Sequence, residues 1–166
     1  MNLQEAVANF LDRRGVTGKD AAFAKLGGTA HLWSVRRGKV AVVASRVLTK
    51  GSVEAMITEA LEQVDKLVLV YTEKCTPAAA AILGALPAVE LWSEAEMRYN
   101  NPFLFGFITD AGIAGHHHND KENLPKLLPT DPLARHLGAE PGAIVWIKQT
   151  WGTLEPEVIH RVVASA

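Results

Sequence analysis

The stretch that most constrains the fold of this chain is 124–147, which has the order of a capped helix, a glycine stop and a strand. Thr130 or Asp131 can cap the helix, because a short side-chain oxygen accepts the unpaired N–H groups of a first turn. Pro132 follows where a missing N–H costs nothing. Gly138 ends the helix, since glycine adopts the left-handed conformation without strain. The residues alone predict a small α/β element.

Length and composition bound the rest of the chain. With 166 residues, 48% hydrophobic and 21% charged, it can form one ordinary domain or two small ones with a buried core. A net charge of −1 gives no global basic field of the kind found in stand-alone DNA-binding proteins. The single cysteine, Cys75, excludes an internal disulfide. No apolar run reaches the roughly 20 residues needed to span a membrane, and no signal peptide is evident. We therefore expect a soluble intracellular protein.

Helical and strand patterns alternate through the first part of the chain. A hairpin followed by strand–helix units predicts an α/β (α+β) fold, with helices packed on a small mixed sheet. The apolar run at 66–71 is expected to be a strand buried on both faces. The other expected elements are a helix over 2–14, a short helix near 21–26, a hairpin of 31–35 and 40–45, a helix over 50–64 capped by Ser52, a helix starting at Thr76-Pro77, a strand over 89–92 and a helical turn at 93–96.

The turn-rich segment Asn100-Asn101-Pro102 is the predicted boundary between two domains, 1–98 and 99–166. Beyond it we expect a strand over 103–108 and a loop over 111–123. The capped helix then leads through a Pro141-Gly142 turn to a strand at 143–147. A final strand is expected at 157–163.

The residue order in 124–147 is specific, because prolines, glycines and a charged pair fall together in one register. These residues are Leu124-Pro125, Asp131-Pro132, Ala134-Arg135, Gly138, Gly142, Val145 and Ile147. Together they resemble the C-terminal assembly domain of the fifth-largest subunit common to eukaryotic nuclear RNA polymerases, whose archaeal counterpart consists of the assembly domain alone. Upstream, the segment LVLVYTEKCTPAAAAIL is similar to the strand, loop and threonine-proline helix of that family's jaw domain. The compact jaw-like half and drifted motifs favour a version carried by a large DNA virus.

The resemblance implies a non-catalytic subunit of a DNA-directed RNA polymerase. The assembly domain would bind the largest subunit, and the jaw-like domain would lie near downstream DNA. Nucleotide addition and its magnesium would belong to the two largest subunits, so no cofactor, metal or small-molecule substrate is expected for this chain. The implied location is the nucleus or, for a virus, the host cytoplasm or nucleus and the virion. The residues expected to bind the partner are Asp131, Pro132, Arg135, Trp146 and Arg161.

Two basic corners are candidates for weak backbone contact with downstream DNA. One is the turn that carries Arg36 and Arg37, and the other is formed by Lys74 and Thr76 before the helix that starts at Pro77. The alternative interpretation is a solvated turn and a solvated helix cap. The partner-binding residues also have plainer interpretations. Asp131 and Arg135 can form a cap and an i,i+4 ion pair, and Trp146 can belong to a second core.

Catalytic alternatives have less support in the sequence. His116-His117-His118 lacks the spacing of a metal site, and Cys75 has no marked partner histidine or oxyanion site. The jaw of the family is similar in topology to restriction-type nucleases, which need clustered acids. The central hairpin here carries basic residues and no acid. A small nucleic-acid-processing enzyme on a nuclease-like fold therefore remains the alternative, together with a stand-alone adaptor.

Overall fold

The computed structural model describes residues 2–15, 25–26, 30–35, 38–62, 64–99, 101–104, 106–114, 121–152 and 154–165. The chain divides into two compact units, Met1–Arg98 and Tyr99–Ala166. No helix in the described ranges combines the length and hydropathy needed to cross a membrane. The elements in chain order are α1 (Leu3–Arg13), β1 (Lys25–Leu26), β2 (Ala30–Val35), β3 (Gly38–Leu48), α2 (Lys50–Leu61), β4 (Lys66–Cys75), α3 (Pro77–Gly84), β5 (Val89–Ser93), α4 (Glu94–Arg98), β6 (Ile108–Ala114), a 3-10 turn (Lys121–Asn123), β7 (Lys126–Leu127), α5 (Pro132–Leu137), β8 (Ile144–Gln149) and β9 (Glu157–Val163).

The first unit is built on a mixed sheet with strand order β1-β2-β3-β4-β5. Strands β1 to β3 pair antiparallel, whereas β3, β4 and β5 run parallel. Residues of α2 and α3 share one buried cluster with the sheet, and residues of α1 and α4 share another. Together with the second sheet described below, this confirms the predicted α+β class.

Strand β4 forms the centre of the first unit because its side chains enter both clusters. Leu67 and Leu69 pack with α2 and α3, and Val68 and Val70 pack with α1 and α4. All four are fully buried. The prediction of a strand buried on both faces is therefore confirmed, and the strand continues to Cys75.

Short polar side chains start the helices of the first unit. Thr76 accepts a hydrogen bond from the Ala79 N–H, with Pro77 at the first helical position, as expected. Helix α2 differs from the prediction, because its cap is Thr49 and not Ser52. Ser52 occupies the third helical position, where its hydroxyl accepts the Thr49 N–H at 3.0 Å and completes a capping box.

The second unit is a four-stranded sheet with order β6-β8-β9-β7 and helix α5 packed on one face. Strands β6, β8 and β9 pair antiparallel, and the two-residue β7 runs parallel to β9. Leu133, Ala134 and Leu137 of α5 pack against Val145 and Ile147 of β8. The predicted cap, glycine stop and strand of this stretch are all present.

Two expected elements are wrong in the segment that precedes α5. The predicted strand over 103–108 is a turn at its start, since Asn101 Oδ1 accepts the Phe103 N–H at 3.0 Å and the Asn101 carbonyl accepts the Leu104 N–H. Gly106 then has φ +72°, so extended structure begins only at Ile108. The predicted loop over 111–123 is partly strand, because 111–114 belong to β6.

The predicted short helix near 21–26 also differs from the structure where it can be compared. Lys25 and Leu26 pair antiparallel with His31 and Ala30 as β1. Residues 21–24 lie outside the described residues. A two-residue strand carries too few alternating side chains to give a sequence signal.

Gly138 ends α5 in the left-handed conformation, with φ 64°. We expect Gly138→Ala to lower the free energy of unfolding by about 1 kcal/mol, since a Cβ is disfavoured in this conformation. Gly84→Ala in α3 is the matched control, because no atom lies within 4 Å of the added methyl. The control should be neutral or raise stability by roughly 0.5 kcal/mol. Equal effects in urea unfolding would contradict the prediction.

Candidate functional site

An open groove of about 720 Å³ lies in the second unit, between the start of α5 and the sheet face on which that helix packs. Its floor is apolar, formed in part by the buried side chains of Leu127, Leu133 and Ile147. Tyr99 and Leu128 also line it and are strongly exposed. The groove therefore offers apolar surface that the described part of this unit leaves open to solvent.

Three of the predicted partner-binding residues, Asp131, Pro132 and Arg161, line this groove. Asp131 is the cap of α5, and its Oδ1 accepts the Leu133 N–H at 2.8 Å. Pro132 is the first residue of the helix. Arg161 comes from β9, 29 positions after Pro132. The tertiary structure thus brings residues from two separate segments of the chain to one surface.

Arg161 has an unusual position on strand β9. It stands between Ile159 and Val163, which pack into the core of this unit, and it is paired in register with the buried Val145. Residues two apart on a strand share one face. Arg161 is half-buried, and its neighbours on this face of β9 are apolar. Arg161 forms no ion pair with any residue that the structure describes.

The other two predicted partner-binding residues, Arg135 and Trp146, are not among the residues that line the groove. Arg135 is half-buried on α5, and its backbone N–H donates to the Asp131 carbonyl at 3.0 Å. Trp146 alternates with the core residues Val145 and Ile147 along β8, so it lies on the opposite sheet face. There it is paired with Gly112, and a Cβ at Gly112 would be 2.8 Å from the indole Nε1.

Among the side chains that the structure describes, most of the exposed large apolar ones lie in the second unit. Of the nine large hydrophobic residues that are exposed among the described residues, only Val47 belongs to the first unit. Phe107 and Trp151 form a tilted aromatic pair with ring centroids 6.0 Å apart. They lie close in the chain to the groove residues Ile108 and Gln149. The exposed residues of this unit are Tyr99, Leu104, Phe107, Ile113, Leu128, Trp151, Leu154 and Val158.

The predicted DNA-facing residues divide into described and undescribed ones. Arg36 and Arg37 lie outside the described residues. Lys74 is exposed near the end of β4, and Thr76 uses its hydroxyl to cap α3. Near Lys74, the Arg46 guanidinium pairs with Glu73 at 2.6 Å. This pair neutralises Arg46 and does not involve Lys74.

Two described residues of the first unit, Cys75 and Glu90, have shifted pKa values. Cys75 at the end of β4 is partly buried, and this burial raises the pKa of its thiol and disfavours the thiolate that a nucleophile needs. Across the described ranges, no three histidine, cysteine or acidic side chains cluster closely enough to hold a metal ion. The triple histidine at 116–118 lies outside the described residues.

Glu90 on β5 forms hydrogen bonds and ion pairs with three neighbouring side chains. Arg14 donates to both of its carboxylate oxygens at 2.8 and 2.9 Å, Lys66 Nζ lies 2.7 Å away, and Trp92 Nε1 donates at 3.2 Å. Burial raises the pKa of Glu90, but the hydrogen bonds and charges of Arg14 and Lys66 outweigh this effect and lower the pKa to about 2. The cluster joins the C-terminal end of α1 to β4 and β5.

Comparison with known proteins gives a match within the second unit. Residues 113–163 match the family model described as RNA polymerase Rpb5, C-terminal domain. The match covers β7, α5, β8 and β9 and includes all five predicted partner-binding residues. No curated protein gives a significant match. The second unit therefore contains an Rpb5 C-terminal domain, and this domain supports a role for the chain as a subunit of a DNA-directed RNA polymerase.

Proposed function

We propose that this chain is a non-catalytic subunit that docks on the largest RNA polymerase subunit through its second unit, the assembly domain (99–166). The observation that carries the proposal is the overlap of the matched residues 113–163 with the apolar groove, which three of the predicted partner-binding residues line. Large exposed apolar patches mark protein interfaces, because leaving them in water is unfavourable. Docking on a larger subunit would cover this surface and remove it from water.

In this proposal the first unit, residues 1–98, is the jaw domain. Its exposed Lys74 and the helix start at Thr76 suit weak contact with DNA phosphates without sequence specificity. The basic Arg36-Arg37 turn would add to this contact. Transcription in the nucleus, or in a virus-infected cell and the virion, is the corresponding setting. The polymerase domain match favours this function over a small nucleic-acid-processing enzyme.

Co-purification with the polymerase provides the test, using the tagged full-length chain in its native cells. We expect the chain to be recovered with the largest subunit at equal stoichiometry. Leu128→Asp places a charge on the groove and should reduce recovery of the largest subunit by roughly tenfold or more, since central apolar contacts dominate interfaces. Arg135→Glu should also lose incorporation while the free chain stays folded.

Leu154→Asp is the matched control for the Leu128 variant, because the two leucines have nearly equal exposure, 67% and 64%. Leu154 is not among the groove-lining residues, so its variant should be incorporated normally. Loss of incorporation by the Leu154 variant alone would move docking away from the groove. Recovery of the wild-type chain free of any polymerase would overturn the proposed function.

A further inference from the structure

We propose that Arg161 binds a carboxylate of the polymerase partner, presented by a short and otherwise apolar segment that lies in the groove of the assembly domain. This inference rests on the proposed function and adds the chemistry of the segment that the groove accepts. It rests on the position of Arg161 in the sheet and on the absence of an ion pair between Arg161 and the groove residue Asp131.

Arg161 is half-buried on a mostly apolar face of the sheet. Arg161 stands between core residues on β9, opposite the fully buried Val145, and is half-buried itself. A charged group that loses water must find an opposite charge or hydrogen-bond acceptors to recover the lost hydration energy. No described residue forms an ion pair with it. A partner that seals the groove would bury it further, so a complementary acid must come with that partner.

Asp131 is the acidic residue among those that line the groove. Its Oδ1 accepts the Leu133 N–H at 2.8 Å and so starts α5. An acid committed to a helix cap is held at the helix start by that bond. No ion pair joins Asp131 to Arg161 among the described side chains, so this acid is not the counterion of Arg161 in the structure.

The groove around Arg161 is small and mostly apolar, although Lys126 and Gln149 also line it. The groove floor is formed by buried apolar side chains such as Leu133 and Ile147, and Leu128 stands exposed beside it. A volume of about 720 Å³ suits a short polypeptide segment and not a folded domain. Arginine binds a carboxylate through two parallel hydrogen bonds, which also fix its orientation. The fitting ligand is thus an aspartate or glutamate flanked by apolar residues.

Binding of the full-length chain to polymerase assembled without it tests the inference. Arg161→Gln should weaken binding by roughly 30-fold, and Arg161→Lys should recover only part of it, because lysine keeps the charge but loses the fork. Lys148→Gln is the matched control, since Lys148 is exposed on the opposite face of the same sheet and should bind like wild type. The thermal midpoint of the free Arg161→Gln chain should be unchanged or higher, whereas a merely structural arginine would lower it.

A photo-crosslinking residue in place of Leu128 identifies the bound segment in the assembled polymerase. The expected product is a partner peptide that contains an aspartate or glutamate among apolar residues, and reversing that acid to arginine should rescue Arg161→Glu. A crosslinked peptide without an acid, or wild-type affinity of Arg161→Gln, would overturn the inference and leave the proposed function standing. Failure of the wild-type chain to bind polymerase at all would instead overturn the proposed function.

Discussion

Glu90→Gln is expected to lower the free energy of unfolding by roughly 2–3 kcal/mol, because it leaves two partly buried cations without their acid. The side chains of Arg14 and Glu90 are only 12% and 22% exposed, so solvent screens the pair weakly. Arg14 also lies over the Phe10 ring, at 4.0 Å from its centroid. Phe10 in turn meets Trp92 edge-on at 5.2 Å. Losing the carboxylate therefore loosens the attachment of α1 to the sheet.

The matched control for this variant is Glu73→Gln. Glu73 also pairs with an arginine, Arg46, but their side chains are 49% and 81% exposed. Pairs in this environment contribute little to stability, so the control should change the free energy of unfolding by less than about 0.5 kcal/mol. Urea unfolding of both variants measures the difference. A Glu90 variant as stable as its Glu73 counterpart would show that the cluster does not hold α1.

The same carboxylate makes stability depend on pH in a defined direction. The pKa of Glu90 falls from 4.5 to about 2 on folding, so its contribution is fully present above pH 4.5 and is lost as pH falls towards 2. The wild-type chain should therefore lose more stability than Glu90→Gln between pH 5 and about 2, by roughly 3 kcal/mol. Parallel pH profiles of the two proteins would contradict the assigned pKa.

Gly112→Val is expected to destabilise the assembly domain by roughly 2–3 kcal/mol through overpacking. An ideal Cβ at this position meets three atoms of the Trp146 indole at 2.8 to 2.9 Å, so the ring has to move. A loss of stability would be informative, because replacing glycine by valine in a strand normally raises stability. Gly112→Ala should show a smaller loss in the same direction.

A double-mutant cycle isolates the cause of this loss. Trp146→Leu removes the indole, so adding Gly112→Val to it should cost much less than in the wild-type chain. Thermal unfolding of the four proteins gives the coupling energy. Additive effects would mean that the glycine is needed for another reason than its contact with Trp146.

Local chemistry determined most of the elements that the sequence predicted correctly. Asp131-Pro132 starts α5 and Gly138 ends it, because capping and left-handed backbone depend on a few adjacent residues. The apolar run of β4 likewise predicted burial on both faces. The prediction of a strand over 103–108 was wrong, because a turn at Asn101 and the left-handed backbone of Gly106 interrupt a run of strand-favouring residues.

Only tertiary structure decided which predicted residues act together. Asp131, Pro132 and Arg161 meet in one groove, whereas Trp146 lies on the other sheet face. The amino-acid order carries the caps, the stops and the family resemblance, since these are local patterns. Which surfaces stay open depends on the pairing of β7 and β9 and on where α5 packs, contacts between residues far apart in the chain.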